Sequence, residues 1–173
     1  IKPRSEWGDA VIIGGNMVRW YGGFDSYIVA QEFDMPIVAP SMGRKIDRED
    51  EMDIQHLPYM TWVEWINNLS QYHIGVHMMP THAAGTFSLN CAFHGIPCIG
   101  YRGLDTQDEL HPDISVSDGD IHTAKKLARH LRDDSDFYSE CSKMCRSNYE
   151  NSLYNENNFT PYITNILEEI KNE

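Results

Sequence analysis

The segment from Met79 to Ile99 contains the residue types best suited to hold a phosphate group. A helix is predicted to begin at Gly85 and Thr86, directly after a strand and a turn of small residues. The first N–H groups of a helix have no partner within it, and the positive end of its dipole lies there. Glycine lets an anion approach the backbone, and a threonine hydroxyl can donate to the same oxygens. The segment therefore predicts a phosphate-binding site. The competing interpretation is that Gly85 only marks a turn.

A phosphate group in so acidic a chain also needs local cations, and Arg44 and Lys45 are the main candidates. They follow a glycine after a predicted strand. Arginine can bind two phosphate oxygens at once, whereas lysine acts as a point charge. The alternative is a solvated basic pair that the acidic run at 47–51 neutralises. Arg19, nearer the first strand, is the reserve candidate.

Three other patterns resemble known ligand sites but are not interpreted as such sites. Asp118-Gly119-Asp120 spells the Asp-x-Asp of some metal sites, but Asp120 is predicted to cap a helix and Gly119 to form a turn, so no metal is expected. Gly14-Gly15 lacks the third glycine and the downstream acid of a dinucleotide fingerprint, which argues against NAD or FAD. His73 and His77 share one face of a strand and are predicted to be packed rather than to bind a ligand.

Alternating strands and helices must position these residues. The predicted strands are 9–15, 35–40, 53–57, 73–79, 96–101 and 113–116, and the predicted helices are 23–33, 61–71, 85–93, 121–132, 135–150 and one that Thr160-Pro161 opens. This alternation predicts an α/β Rossmann-like open parallel sheet of about six strands with helices on both faces. Ligands bind such sheets beyond the carboxyl ends of the strands. Trp62 and Trp65 are predicted to face the core, by their helical spacing.

Composition bounds the possible functions. The chain has 173 residues, enough for one domain but not for two catalytic domains. Its 26 acidic and 14 basic residues give a formal charge of -12, which argues against nucleic acid and anionic lipid as partners. No transmembrane segment is predicted. The four cysteines are predicted to be reduced and mostly buried, which favours a cytoplasmic location, and the first residue is Ile1, so a longer parent chain is expected.

The segment at 79–99 resembles the donor-binding signature of GT-B glycosyltransferases of the group 1 type. In that family a strand ends in proline, and a loop glutamate, a glycine-led helix, a second glutamate, an alanine and a Gly-x-Pro turn follow. The corresponding residues here are His82, Gly85, Asn90, Ala92 and Gly95-Ile96-Pro97. Leu57-Pro58-Tyr59 and the stretch from Ser115 to Ala128 extend the resemblance over most of the chain.

The resemblance implies that residues 1–173 form one half of a GT-B fold, the carboxy-terminal donor-binding domain of a two-domain glycosyltransferase. An amino-terminal acceptor domain would be missing, and the isolated domain would be inactive. The implied partner is a UDP- or GDP-linked sugar, with no cofactor and no metal. His82 is the catalytic candidate, near the sugar or its phosphates, and Asn90 is expected to hold the ribose hydroxyls. The full set of predicted donor contacts is Gly14, Gly15, Asn16, Arg19, Arg44, Lys45, Tyr59, Met60, His82, Ala84, Gly85, Thr86 and Asn90.

Neither His82 nor Asn90 is the glutamate of the family, and this difference leaves alternatives open. A nucleotide-sugar epimerase-like half-domain would share the diphosphate seat but needs acid–base carboxylates in its cleft. A non-catalytic nucleotide-binding or interaction module needs no catalytic group at all.

Overall fold

A computed structural model describes residues 2–40, 43–81 and 85–171 and shows a six-stranded parallel sheet. The strands are β1 (Val11–Ile13), β2 (Ile37–Pro40), β3 (Gln55–Leu57), β4 (Ile74–His77), β5 (Cys98–Tyr101) and β6 (Ser115–Val116), in the order β3-β2-β1-β4-β5-β6. Each pair of neighbours is parallel. The predicted fold class is confirmed. The chain order of the strands reverses between β1 and β4, which opens a crevice at their carboxyl ends.

Seven α-helices lie in the described residues: α1 (Gly23–Ala30), α2 (Trp62–Leu69), α3 (Thr86–His94), α4 (Asp105–Leu110), α5 (Ile121–Asp133), α6 (Ser135–Asn151) and α7 (Glu156–Lys171). The sequence reasoning missed α4, which is short, polar and without a side-chain cap. The predicted start of α7 at Thr160-Pro161 is wrong. Its first turn is held by Asn155, whose carbonyl accepts from two backbone N–H groups and whose side chain accepts from a third, so Pro161 lies inside the helix.

The helices cover both faces of the sheet, as predicted. Val11, Ile13 and Val76 belong to a cluster on the face that α1 and α5 cover. Ile12 and Cys98 belong to a second cluster on the face covered by α2 and α3. Because successive side chains of a strand point to opposite faces, a strand buried on both sides is apolar throughout. The four cysteines are buried and free. None of the helices among the described residues combines the length and apolarity needed to cross a lipid bilayer.

Arg4 attaches the segment before β1 to the amino-end side of the sheet. Its guanidinium donates to the carbonyl oxygens of Tyr72, His94 and Gly95 and to the hydroxyl of Tyr138. Several donors in one planar group suit such convergent acceptors. The segment that leads into β1 is therefore held on the edge opposite the crevice.

An ion pair between α5 and the end of α1 gives a pH-dependent contribution to stability. Lys125 Nζ and Arg129 Nη1 each lie 2.7 Å from a carboxylate oxygen of Glu32, whose side chain is 18% exposed. Lys125 and Arg129 hold the pKa of the Glu32 carboxyl below its ordinary value, so the stabilisation is present at neutral pH and is lost as acid protonates it. We expect Glu32→Gln to lower the free energy of unfolding at neutral pH by about 0.5–1 kcal/mol.

Urea unfolding at several pH values measures this effect. The difference from the wild type should disappear as the pH falls through the folded pKa of Glu32. Glu51→Gln, which breaks an exposed pair with Arg48, is the control and should have almost no effect. Equal effects of the two substitutions at neutral pH would contradict the prediction.

Candidate functional site

A cleft of about 490 Å³ opens at the carboxyl edge of the sheet. Its lining is mainly apolar and aromatic: Gly15, Tyr21, Pro40, Leu57, Pro58, Tyr59, Met60, Trp62, Trp65, His77, Met79, Thr86 and Phe87. We call this the aromatic cleft. These residues come from the ends of β1 to β4 and the loops that follow them, from the first turns of α2 and α3, and, for Tyr21, from a short 3-10 helix before α1. Among the residues that the structure describes, the lining contains neither a carboxylate nor a permanently charged side chain, so this part of the cleft suits an uncharged, partly flat group.

His77 and Phe87 form the inner wall of the aromatic cleft, and Gly14 packs behind them. A β-carbon on Gly14 would lie 2.6 Å from His77 Cδ2 and 2.9 Å from Phe87 Cδ1. The imidazole meets the Phe87 ring edge to face, with ring centroids 5.2 Å apart. Only a glycine fits where β1 ends, because both rings pack against its backbone.

The amino-terminal end of α3 enters the same cleft without a side-chain cap. By contrast, Thr61 and Glu64 form the predicted capping box of α2, and Asp120 caps α5 by accepting from Thr123 N at 3.0 Å. The first turn of α3 contains no acidic residue. Within residues 85–171 and the other described segments, no partner is found for the backbone N–H groups of Thr86 and Phe87, which suits an anion in the cleft.

Hydrogen bonds from neighbouring hydroxyl groups hold the turn at Gly85 in place. The carbonyl oxygen of Gly85 accepts from Thr106 Oγ1 at 2.8 Å and from Ser88 Oγ at 3.0 Å. The two hydroxyl groups also lie 2.8 Å apart, and both are buried. Thr106 belongs to α4, so the helix that the sequence did not reveal positions the start of α3.

Asn90 lies one helical turn beyond Thr86 on α3. Its side chain is 5% exposed, and its Nδ2 is buried with no hydrogen-bond partner among the described residues. A buried amide without a partner costs free energy, which a ligand acceptor would recover. The predicted contact with ribose hydroxyls stays a prediction.

A second, smaller cleft of about 190 Å³ adjoins the aromatic cleft, and Pro40 lines both. Its lining also includes Asn16, Arg44, Lys45, Glu49 and His56. Glu49 is buried; its carboxylate accepts from Ile46 N at 2.8 Å and lies 3.2 Å from His56 Nε2. Glu49 thereby ties the loop that carries the two cations to the end of β3.

The three cationic candidates differ in how they are engaged. Lys45 Nζ lies 2.6 Å from an Asp50 oxygen, and this contact raises the pKa of Lys45. Asp50 thus partly neutralises Lys45, in line with the alternative that the acidic run at 47–51 neutralises the basic pair. The Arg44 guanidinium lies 6.0 Å from the centroid of the Trp20 ring and is exposed. Arg19 is exposed on a short 3-10 helix, Arg19–Tyr21, and lines neither cleft.

The structure brings together many of the predicted donor contacts. Gly15, Tyr59, Met60 and Thr86 line the aromatic cleft, and Asn16, Arg44 and Lys45 line the smaller cleft. Gly14, Gly85 and Asn90 lie immediately behind these walls. His82 and Ala84 fall outside the described residues. The roles of all these residues stay predictions.

One expectation is wrong, and one is incomplete. Trp62, predicted to face the core, is 58% exposed and lines the aromatic cleft, whereas Trp65 packs partly against the core. Trp62 is the first residue of α2. At that end of the helix the strands have already ended, so the sheet does not cover the Trp62 side chain. His77 is packed, as predicted, but it also lines the cleft. Its position at the carboxyl end of β4 is the signal that could have identified it.

No protein-family model matches the chain, and no curated protein matches it in sequence. Solved structures do match. TarM has a TM-score of 0.74 at 12% identity, covering 95% of this chain and 36% of TarM. Anabaena HepE, solved in complex with UDP and glucose, has a TM-score of 0.69 at 9% identity, covering 96% of this chain and 49% of HepE.

A solved domain matches over nearly its whole length. The C-terminal domain of LpcC from Francisella tularensis, a glycosyl transferase group 1 family protein, has a TM-score of 0.66 at 12% identity, covering 85% of this chain and 92% of that domain. The chain therefore has the fold of a GT-B carboxy-terminal domain. It spans less than half the length of TarM and HepE.

Proposed function

We propose that the chain is the nucleotide-sugar donor-binding domain of a glycosyltransferase, acting together with an acceptor domain that residues 1–173 do not include. The observation that carries the proposal is the aromatic cleft, into which the uncapped start of α3 opens. An apolar wall suits a nucleobase, and free helix N–H groups suit phosphate oxygens. The nucleoside and the phosphates of a nucleoside diphosphate could therefore both bind in this one cleft.

The distribution of charged side chains between the two clefts supports this proposal. The aromatic cleft would receive the base and ribose, beside Tyr59, Trp62 and Asn90. The diphosphate would lie at the amino-terminal end of α3, at Thr86, and Arg44 would approach it from the adjoining smaller cleft. In transfer, helix dipole and cations would stabilise the negative charge that develops on the leaving diphosphate.

The donor would be a UDP- or GDP-linked sugar, and the proposal includes no metal and no cofactor. Asp118 and Asp120, the one metal-like motif, do not favour a cation site, because Asp120 already caps α5. The proposal includes a cytoplasmic location, which the four buried, free cysteines support. An epimerase needs acid–base carboxylates, and the aromatic cleft has none among its lining residues. A binding-only domain, with Asn90 in place of glutamate, remains the second candidate.

Hydrogen exchange with UDP and with GDP tests donor binding. We expect either nucleotide to slow amide exchange between residues 85 and 92, because phosphate oxygens would accept from N–H groups that have no partner in the first turn of α3. Mass spectrometry of peptic fragments, with and without millimolar nucleotide, measures the change.

The first turn of α5 is the internal control, since the Asp120 carboxylate already satisfies its Thr123 N–H and its exchange should not change. If no nucleoside diphosphate at millimolar concentration protects residues 85 to 92, the proposed donor site is wrong.

A further inference from the structure

His77 combines burial with a place in the cleft wall. It ends β4, is 6% exposed, and lines the aromatic cleft between the end of β1 and the start of α3. Burial lowers its pKa to about 4, so the ring is neutral at neutral pH. A neutral imidazole has one nitrogen that donates and one that accepts.

The two ring nitrogens of His77 differ in surroundings. Nδ1 is buried and has no hydrogen-bond partner among the described residues. Nε2 does not combine these two properties. An unpaired buried N–H is rarer in proteins than an acceptor with a free lone pair. The proton is therefore placed on Nε2, and the ring has one donor that no described residue uses.

Resting on the proposed function, we infer that His77 is a ligand-binding residue that donates a hydrogen bond from Nε2 to the uncharged nucleoside part of the bound nucleotide. The lining of the aromatic cleft supports the choice of the nucleoside over the diphosphate. Its other members are apolar, aromatic or hydroxyl-bearing side chains and glycine, and the cations lie in the adjoining smaller cleft. A neutral donor suits a ribose hydroxyl or a base carbonyl, whereas phosphate favours charged donors.

His73 provides a matched control at the other end of the same strand. Its ring stacks on Tyr138, with centroids 4.2 Å apart, and it does not line the aromatic cleft. His73→Phe and His77→Phe therefore make the same chemical change at two partly or fully buried sites. His77→Gln keeps a donor of similar reach while removing the ring.

Calorimetric titration of the chain and its variants with UDP and with uridine tests the inference. His77→Phe should weaken both ligands by the same factor, about tenfold, because the lost hydrogen bond belongs to the nucleoside, the part that they share. His77→Gln should recover part of the loss, and His73→Phe should bind like the wild type. Thermal unfolding of each variant confirms that it is folded.

The outcomes separate this inference from the proposed function. Wild-type affinity for UDP in His77→Phe overturns the inference alone. A loss with UDP that is absent with uridine assigns His77 to the phosphates and also overturns it. A wild-type chain that binds neither UDP nor GDP overturns the proposed function and this inference together.

Discussion

Gly85→Ala is expected to lower the affinity for a nucleoside diphosphate by about tenfold or more and to cost about 1–3 kcal/mol of folding free energy. An alanine β-carbon at this position would lie 2.0 Å from Thr106 Oγ1 and 3.1 Å from Ser88 Oγ. Both hydroxyls are buried and bonded to the Gly85 carbonyl, so they have little room to move. The turn must shift instead, and the first N–H groups of α3 shift with it. Urea unfolding and calorimetry with UDP measure the two effects.

The double substitution Gly85→Ala/Thr106→Ala is the control for this mechanism. Removing the Thr106 hydroxyl opens the space that the new methyl group needs. The double variant should therefore be more stable than the sum of the two single effects predicts. Additive effects would show that the contact with Thr106 is not the cause, and an unchanged affinity in Gly85→Ala would remove this turn from the binding site.

Gly22→Ala is expected to have the largest effect on stability, about 3–5 kcal/mol. Gly22 precedes α1 with a φ of 64°, in the left-handed region that disfavours a side chain. An alanine β-carbon would lie 1.7 Å from the Met78 carbonyl oxygen and 2.4 Å from its carbon. Both atoms are backbone at the end of β4, so α1 and β4 would have to separate. Chemical denaturation measures the loss.

Gly119→Ala separates the cost of the left-handed backbone from the cost of the contact with Met78. Gly119 has a φ of 77°, and a β-carbon there meets nothing within 4 Å. It should therefore show only the cost of the left-handed backbone, about 1–2 kcal/mol. The excess loss in Gly22→Ala measures the contact with Met78. Equal losses at the two positions would contradict the close approach of α1 to β4.

Much of the fold could be predicted because its signals are local. Val11 to Ile13 form an uninterrupted apolar run, as strands covered on both faces require, and each of the six predicted strands contains one of the six observed strands. Thr61 and Asp120 cap their helices as predicted, since a cap depends on residues within one turn. The failures also have local causes: α4 has no cap of its own, and Asn155 starts α7 before the proline that seemed to open it.

The candidate site was predicted only in part. Gly85 and Thr86 could be located because a strand, a turn and a helix follow one another there in sequence. The aromatic cleft could not, because Tyr21, Trp62 and Phe87 meet only when the parallel strands bring their carboxyl ends to one edge. Helical spacing groups Trp62 with the core residues of α2, but it does not show where the sheet beneath the helix ends.

By itself, the sequence determined the six strands and the caps of α2 and α5, and it predicted a phosphate site at the turn before α3, because each depends on a few consecutive residues. The tertiary structure decided which side chains share the aromatic cleft, that Thr106 holds Gly85, and that His77 reaches the cleft wall. These are contacts between residues distant in the chain. Only the packing of α2, α3 and α4 against the sheet specifies them, and no spacing within the chain encodes them.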